Sequence, residues 1–147
     1  MERQIKFRAK HIKNGAWLYG DLLQSNEGSV YIGVHGQYID DGYHFNDMYD
    51  KTCYVDEDTI GQFTGLLDRN GKEIYEGDII TVKGRYPRVV LWGKMMWALM
   101  PTEYYHDEVF WAMNLQHPEV DWWEEFADEF EIIGNIYDHP SLISDKR

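Results

Sequence analysis

The chain has 147 residues, of which 44% are hydrophobic and 16% aromatic, and it carries a formal net charge of −12 at pH 7. A chain of this length forms one domain or two small subdomains that share a core. The sequence has no apolar run near the roughly 20 residues of a membrane-spanning helix, its first residues lack the apolar stretch of a signal peptide, and its single cysteine excludes an internal disulfide. We therefore expect a soluble, cytoplasmic protein.

The charge is distributed unevenly along the chain. Residues 1–13 hold five basic side chains and one acidic side chain, which is a local charge of +4. Residues 95–145 hold twelve acidic side chains and no Lys or Arg. Contacts with phosphate groups rely on Lys and Arg, so nucleic-acid binding through this acidic third is disfavoured.

The first predicted strands form a hairpin. Apolar and basic residues alternate from Ile5 to Lys10, Asn14-Gly15 favours a tight turn, and residues 16–23 form the return strand. The basic side chains have two interpretations: a contact with nucleic acid or another acidic partner, or the solubilising outer face of an edge strand. We favour the second, since so few charges do not form a binding stripe.

Residues 35–58 are rich in Gly, Asp and Tyr and show little periodicity, which in a compact domain indicates a functional or disordered loop. The loop contains several side chains of metal-ligating type: His35, Asp40, Asp41, His44, Asp47, Asp50 and Cys53. Their spacing matches no zinc, calcium or metalloprotease motif. We therefore predict no metal and no cofactor, and we expect the loop to contact a partner or a neighbouring subunit.

Two turn signals lie within residues 59–82. Asn70-Gly71 is the pair most compatible with a tight hairpin turn, and Glu76-Gly77-Asp78 precedes a short β-branched strand. A further short turn before this stretch is expected to be capped by Asp56 or Asp58.

The acidic residues of this stretch have a structural and a catalytic interpretation. Asp68 and Asp78 can accept hydrogen bonds from nearby backbone amides. Glu73, Glu76 and Asp78 could instead form an acid–base group, but the sequence pairs them with no nucleophile or metal ligand. We predict the structural role and no catalytic residue.

The later part of the chain contains further strands. Residues 88–92 and 96–100 are predicted to form a hairpin, and residues 130–137 a closing strand in which Ile132 and Ile133 are buried. The fold class is therefore predicted to be mainly β, with small antiparallel sheets or an SH3-like barrel and one short acidic helix.

That helix is predicted near residues 118–130, where apolar residues recur on one face and acidic residues occupy the rest. In one interpretation its apolar stripe packs on the sheets. In the other it forms part of an acidic aromatic surface that captures a basic protein or mimics the charge of DNA. The residues that we expect to contact a partner in that case are Trp122, Trp123, Tyr104, Tyr105, Glu124 and Glu125.

Longer patterns occur at Arg3–Ala9, Ile60–Leu66, Asp68–Ile79 and Phe130–Tyr137. Together they resemble the YopX family of small bacteriophage and prophage proteins. The resemblance implies a compact, mostly β, phage-encoded intracellular protein of unassigned activity. It supplies no catalytic residues.

We predict two parts, a β subdomain with a long polar loop at residues 1–58 and a barrel-like β subdomain at residues 59–147. The favoured function is a non-enzymatic binding or accessory protein of a phage or prophage that contacts a host or phage protein in the bacterial cytoplasm, with a homo-oligomer also considered. The alternatives are a small nucleic-acid-binding β-barrel, a virion or assembly component and, last, an enzyme that uses the His35–Cys53 loop.

Overall fold

The computed structural model describes residues 4–34, 54–93, 96–107 and 127–143. The chain divides into two compact units, Met1–Phe63 and Thr64–Arg147. The strands of the described residues are β1 (Phe7–Lys10), β2 (Trp17–Gln24), β3 (Val30–Val34), β4 (Gly61–Leu67), β5 (Glu73–Tyr75), β6 (Asp78–Val82), β7 (Arg85–Gly93), β8 (Met96–Pro101) and β9 (Phe130–Asn135). They form two small antiparallel sheets, which confirms the predicted mainly β fold class.

The first sheet has the strand order β3-β2-β1-β4-β5. β1 pairs antiparallel with β2 on one side and with β4 on the other, so Phe7 lies opposite both Gly20 and Gln62. The interpretation of β1 as an edge strand is therefore wrong, because a neighbour is paired on each side. The turn at Asn14-Gly15 is confirmed: Gly15 has a φ of +69°, and its amide donates to the His11 carbonyl at 2.9 Å.

The core of the first unit lies on one face of its strands. Ala9 and Ile32 are fully buried there together with Val55, and the partly buried residues around them are Phe7, Leu18, Leu22, Val30 and Ile60. Asp56 accepts from the Asp58 amide at 3.1 Å at the start of a 3-10 turn, which confirms the predicted cap.

The second sheet has the order β8-β7-β6-β9 and buries residues on both faces. Ile79 and Ile80 are both fully buried although successive strand residues point to opposite faces. One face packs a cluster of Ile79, Val89, Leu91 and Met100, and the other packs Ile74, Ile80, Val90, Leu99 and Phe130. Burial of each such aliphatic side chain contributes about 1.5–3 kcal/mol. Among the described strands the order has two ends, so closure into an SH3-like barrel stays a prediction.

Two details of the carboxy-terminal predictions are wrong. Ile133 is 39% exposed, because the alternation along β9 that turns Ile132 toward the core turns the next side chain outward. Phe130 is fully buried as the first residue of β9, and Ala127–Glu129 before it is a 3-10 turn rather than the end of an α-helix. Residues 118–126 of the predicted helix lie outside the described residues.

The Asn70-Gly71 turn is organised by the buried carboxylate of Asp68. Its Oδ1 accepts from the amides of Asn70 at 2.8 Å and Lys72 at 2.9 Å. Its Oδ2 accepts from the amide of Ile132 at 3.1 Å, 64 residues further along the chain. The predicted role of Asp68 as an acceptor for nearby amides is confirmed, and the same side chain also ties the turn to β9.

We expect Asp68→Ala to lower the free energy of unfolding by about 2–4 kcal/mol, because a buried amide without an acceptor costs about 1–3 kcal/mol. Urea unfolding followed by tryptophan fluorescence measures this loss. The control is Asp56→Ala, which removes one exposed cap and should cost at most about 1 kcal/mol. Equal losses in the two variants would contradict the bridging role of Asp68.

Candidate functional site

The Glu76-Gly77-Asp78 turn connects β5 to β6 and is hydrogen-bonded to two other segments of the chain. Asp78 is 2% exposed, and its Oδ2 accepts from the Tyr75 amide at 2.8 Å. Gly77 has a φ of +90°, its amide donates to the Val90 carbonyl at 2.8 Å, and its carbonyl accepts from the Ile136 amide at 2.9 Å. The carboxylate of Asp78 therefore holds the turn closed, as the structural interpretation predicts.

A second junction closes the end of β9. Asn135 Oδ1 accepts from the amides of Tyr137 at 3.0 Å and Asp138 at 2.8 Å. The backbone amide of Asn135 donates to His139 Nδ1 at 3.2 Å, and the backbone amide of His139 donates to the Asn135 backbone carbonyl at 2.9 Å. The His139 ring lies so close to Gly134 that a Cβ on Gly134 would come within 2.7 Å of Nδ1.

We expect Gly134→Ala to destabilise the protein, since the added methyl group overlaps the His139 ring and overpacking typically costs about 1–3 kcal/mol. Thermal unfolding of Gly134→Ala, His139→Ala and the double variant tests this contact. The double variant should lose less stability than the sum of the two single losses. Additive losses would mean that the ring does not limit the space at Gly134.

Tyr104 and Tyr105 are the two predicted partner-contact residues that the structure describes. They follow β8, the first as the last residue of a 3-10 turn, and both pack against the cluster around Met100. Burial raises the pKa of the Tyr105 hydroxyl above its ordinary value of 10.0, and the negative charge of Glu76 raises it further. Each ring is thus half-buried and anchors its segment, while Glu103 and Asp107 beside them are exposed to solvent.

The other predicted contact residues, Trp122, Trp123, Glu124 and Glu125, lie outside the described residues. The structure therefore brings together two of the six predicted residues, Tyr104 and Tyr105, at one end of β8. The loop from His35 to Cys53 also lies outside. Within the described ranges, no three His, Cys, Asp or Glu side chains are placed to hold a metal ion.

We expect the protein to lose stability as the pH rises through and above 10.0, the ordinary tyrosine pKa. The unfolded chain releases the Tyr105 proton at lower pH than the folded chain does, so alkaline pH favours unfolding. Tyr105→Phe removes this contribution and should show a shallower fall in the urea midpoint between neutral and strongly alkaline pH. The same slope in both proteins would contradict a buried, neutral Tyr105.

Lys6 and the two basic residues of β1, Arg8 and Lys10, alternate with the core residues Phe7 and Ala9 and are placed over aromatic rings. Arg8 lies 4.6 Å and Lys10 5.5 Å from the centre of the Trp17 ring, and Lys6 lies 5.4 Å from that of Phe63. Arg8 is only 6% exposed. Cation–aromatic contacts of this kind stabilise a sheet face, and they leave the Arg8 side chain little access to an external phosphate.

The β6–β7 hairpin contains a bulge that sequence reasoning missed. Val82 pairs with Arg85 and Ile80 pairs with Arg88, so β7 has one more residue than β6 between these pairs. The bulge falls at Tyr86-Pro87. Proline lacks a backbone donor and is tolerated in a strand at such a site.

Tyr86 has a φ of +56°, in the left-handed region that favours glycine, and its side chain is 65% exposed. A non-glycine residue in this conformation costs roughly 1–2 kcal/mol. Trp92 at the other end of β7 is also exposed, but its ring lies 5.2 Å from that of Trp97, edge to face. One feature of the sequence indicates that Tyr86 is exposed: it is an aromatic residue inside a turn bounded by Gly84 and Pro87.

Comparisons with known proteins give a family and one similar structure. The sequence model of the family described as YopX protein matches residues 6–144. A crystal structure of protein EF1440 from Enterococcus faecalis is similar at 22% sequence identity and a TM-score of 0.47, over 97% of this chain and 100% of that chain. A search of curated proteins found no match. No helix in the described part of the chain is long and apolar enough to span a membrane.

Proposed function

This chain belongs to the YopX protein family, and we propose that it is a non-enzymatic binding or accessory protein of phage or prophage origin. Its partner is a host or phage protein in the bacterial cytoplasm. The contact is the acidic aromatic surface, which consists of Trp122, Trp123, Tyr104, Tyr105, Glu124 and Glu125.

The observation that carries this proposal is that the side chains of the family motifs accept hydrogen bonds from the protein's own backbone. Asp68, Asp78 and Asn135 belong to the segments by which the family is recognised, and each accepts from one or more backbone amides. Two of them, Asp68 and Asp78, are almost fully buried carboxylates. Groups held in this way maintain turns, and they are poorly placed to exchange protons with a substrate.

The segment at the end of β8 supports a contact surface of mixed character. The rings of Tyr104 and Tyr105 pack on the cluster around Met100, which fixes the backbone of the segment. The exposed side chains of Glu103 and Asp107 flank them. An anchored aromatic segment with carboxylates at its margin suits a basic protein surface, because aromatic residues supply contact area and rim charges supply selectivity.

Nucleic-acid binding through residues 3–13 and the Lys83–Arg88 turn is the weaker alternative. Arg8 is buried against Trp17, and the chain as a whole carries a charge of −12. Polyanions need several exposed cations to displace their counterions. A virion or assembly component would use a protein contact as well, so it is a variant of the same proposal.

The test is an affinity pull-down from nuclease-treated bacterial lysate, comparing the wild type with a Trp122→Ala/Trp123→Ala variant. We expect a stoichiometric basic protein to be captured by the wild type and lost by the variant. Loss of a central aromatic anchor typically weakens an interface by about 2 kcal/mol or more.

The matched control is Trp92→Ala, which removes an exposed tryptophan outside the proposed surface. It should capture the same protein in the same amount as the wild type. Equal recovery by all three proteins, or capture that occurs only from a parallel lysate without nuclease treatment, would contradict the proposed contact.

A further inference from the structure

We propose that Asn14 is a site of spontaneous covalent modification, at which water replaces the side-chain amide and leaves aspartate or isoaspartate. The sequence contains two Asn-Gly pairs, Asn14-Gly15 and Asn70-Gly71. Both glycines lie in hairpin turns with positive φ. Glycine has no side chain to shield its backbone nitrogen, so the two pairs share the same intrinsic reactivity. The fold then decides which pair reacts.

The reaction forms a ring within the backbone. The nitrogen of Gly15 loses its proton to hydroxide and attacks Cγ of Asn14, which forms a new C–N bond. The bond from Cγ to Nδ2 breaks, and Nδ2 takes up a proton from water and leaves as ammonia. Water then opens the resulting succinimide at one of its two carbonyl groups, which gives aspartate or isoaspartate. Overall one water molecule is consumed and one ammonia molecule is released.

The first observation is the position of the Asn14 side chain. Its Oδ1 accepts from the backbone amide of Ala16 at 2.9 Å. This bond closes a ring of atoms that includes Cγ of Asn14 and the nitrogen of Gly15, so it holds Cγ near the attacking nitrogen. The oxygen that becomes negative during the attack already has a donor, at a distance within the roughly 2.7–3.1 Å typical of groups that stabilise such an oxygen.

The Asn70 side chain is placed differently. Within the part of the chain that the structure describes, its carboxamide makes no hydrogen bond. Its backbone amide donates to Asp68 Oδ1 at 2.8 Å. Both asparagines are exposed, so access of water does not distinguish them. The orientation of the carboxamide does.

The second observation concerns the nitrogen that attacks. The Gly15 amide donates to the His11 carbonyl at 2.9 Å, and the Gly71 amide donates to the Asp68 carbonyl at 3.0 Å. Either bond must open before the nitrogen can reach Cγ. Because these two bonds are alike, the cost of opening depends on the rest of each turn.

The turn at Asn70 is held by a buried carboxylate. Asp68 is 5% exposed and accepts from the amides of Asn70, Lys72 and Ile132. The amide of Arg69 also donates to a carbonyl of β9 at 2.8 Å. Opening this turn takes amides away from a buried charged acceptor, which raises the free energy of the open state.

The turn at Asn14 has no comparable clamp among the described residues, and residues 12–16 are all exposed. The Lys13 amide donates to His11 Nδ1 at 3.1 Å in an exposed bond. The Ile12 amide donates to the Tyr54 carbonyl at 3.0 Å, but this bond precedes the Asn-Gly pair and persists when the pair opens. Turns with solvent-exposed backbone bonds open locally at low free energy. Asn14 therefore reaches the reactive geometry more often than Asn70.

The product changes the charge of the basic amino-terminal segment. A carboxylate at position 14 follows Lys13 and lowers the positive charge of residues 1–13 by one. A carboxylate at position 70 would instead stand two residues from the buried carboxylate of Asp68, where like charges repel. The fold thus accepts the modification at Asn14, and the segment loses positive charge as the protein ages.

The test is incubation of the full-length protein at neutral and mildly alkaline pH, followed by peptide mapping with mass spectrometry. Both pairs are measured in one sample. We expect Asn14 to react about tenfold faster or more than Asn70, which corresponds to about 1.4 kcal/mol or more in the free energy of reaching the reactive state. Equal rates, a faster Asn70, or an unmodified Asn14 overturns the inference.

The control is the same chain unfolded in urea. Its two Asn-Gly pairs should react at equal rates, because only the fold distinguishes them. A difference that persists in urea would assign the selectivity to neighbouring residues and would also overturn the inference.

The clamp is tested by Asp68→Ala. We expect the rate at Asn70 to rise about tenfold or more, the scale of losing bonds to a charged acceptor, while the rate at Asn14 stays unchanged. Hydrogen exchange of the wild type measures the same property without a variant. The Gly15 amide should exchange faster than the Gly71 amide, and the reverse order would contradict the difference in opening.

The donor to Asn14 Oδ1 is tested by a matched pair of variants. Ala16→Pro removes the backbone N–H, and Ala16→Ser keeps it. We expect the first to slow the reaction at Asn14 about tenfold or more and the second to leave it unchanged. Equal rates in the two variants would refute the role of this amide.

Discussion

Buried backbone amides in the turns of the second unit require hydrogen-bond acceptors. The conformation of those turns depends on which side chains supply the acceptors. Asp68 supplies three such acceptor bonds, two within its own turn and one to Ile132 on β9. Asp78 supplies one to Tyr75. An amide buried without a partner costs free energy comparable to a lost hydrogen bond. Because one carboxylate accepts all three bonds, the Asp68 side chain that closes the β4–β5 turn also sets where β9 meets that turn.

The residues that identify the family are therefore different from the residues that we propose to contact a partner. The motif residues Asp68, Asp78 and Asn135 accept hydrogen bonds from backbone amides. The glycines Gly77 and Gly134 fill positions that a side chain would strain or crowd. A scaffold held together in this way leaves function to the segments around it. Tyr104 and Tyr105 belong to both the scaffold and the proposed surface, since their rings pack against the core while the neighbouring side chains are exposed to solvent.

The bulge at Tyr86 is the clearest departure from local consistency in the second unit. The β6–β7 turn itself is well suited to its conformation: Lys83 and Gly84 both have positive φ, as tight hairpin turns require. Tyr86 then repeats the left-handed conformation with a large exposed ring. A residue other than glycine costs free energy in this conformation, so Tyr86 is not the residue that the local backbone favours.

The sequence by itself determined the mainly β class, the turns at Asn14-Gly15 and Asn70-Gly71, and a cap at Asp56 or Asp58, because alternation and turn preferences depend on residues close together in the chain. It also determined that Asp68 and Asp78 accept from nearby amides. It did not determine that β1 lies inside its sheet, or that Asp68 reaches Ile132. Nor did it distinguish the partly buried Ile132 from the exposed Ile133 or reveal the strain at Tyr86. Those features depend on which strands pair and in which register, and a shift of one residue exchanges the two faces of a strand. Only the tertiary structure decides that, because the pairing joins residues that are distant in the chain.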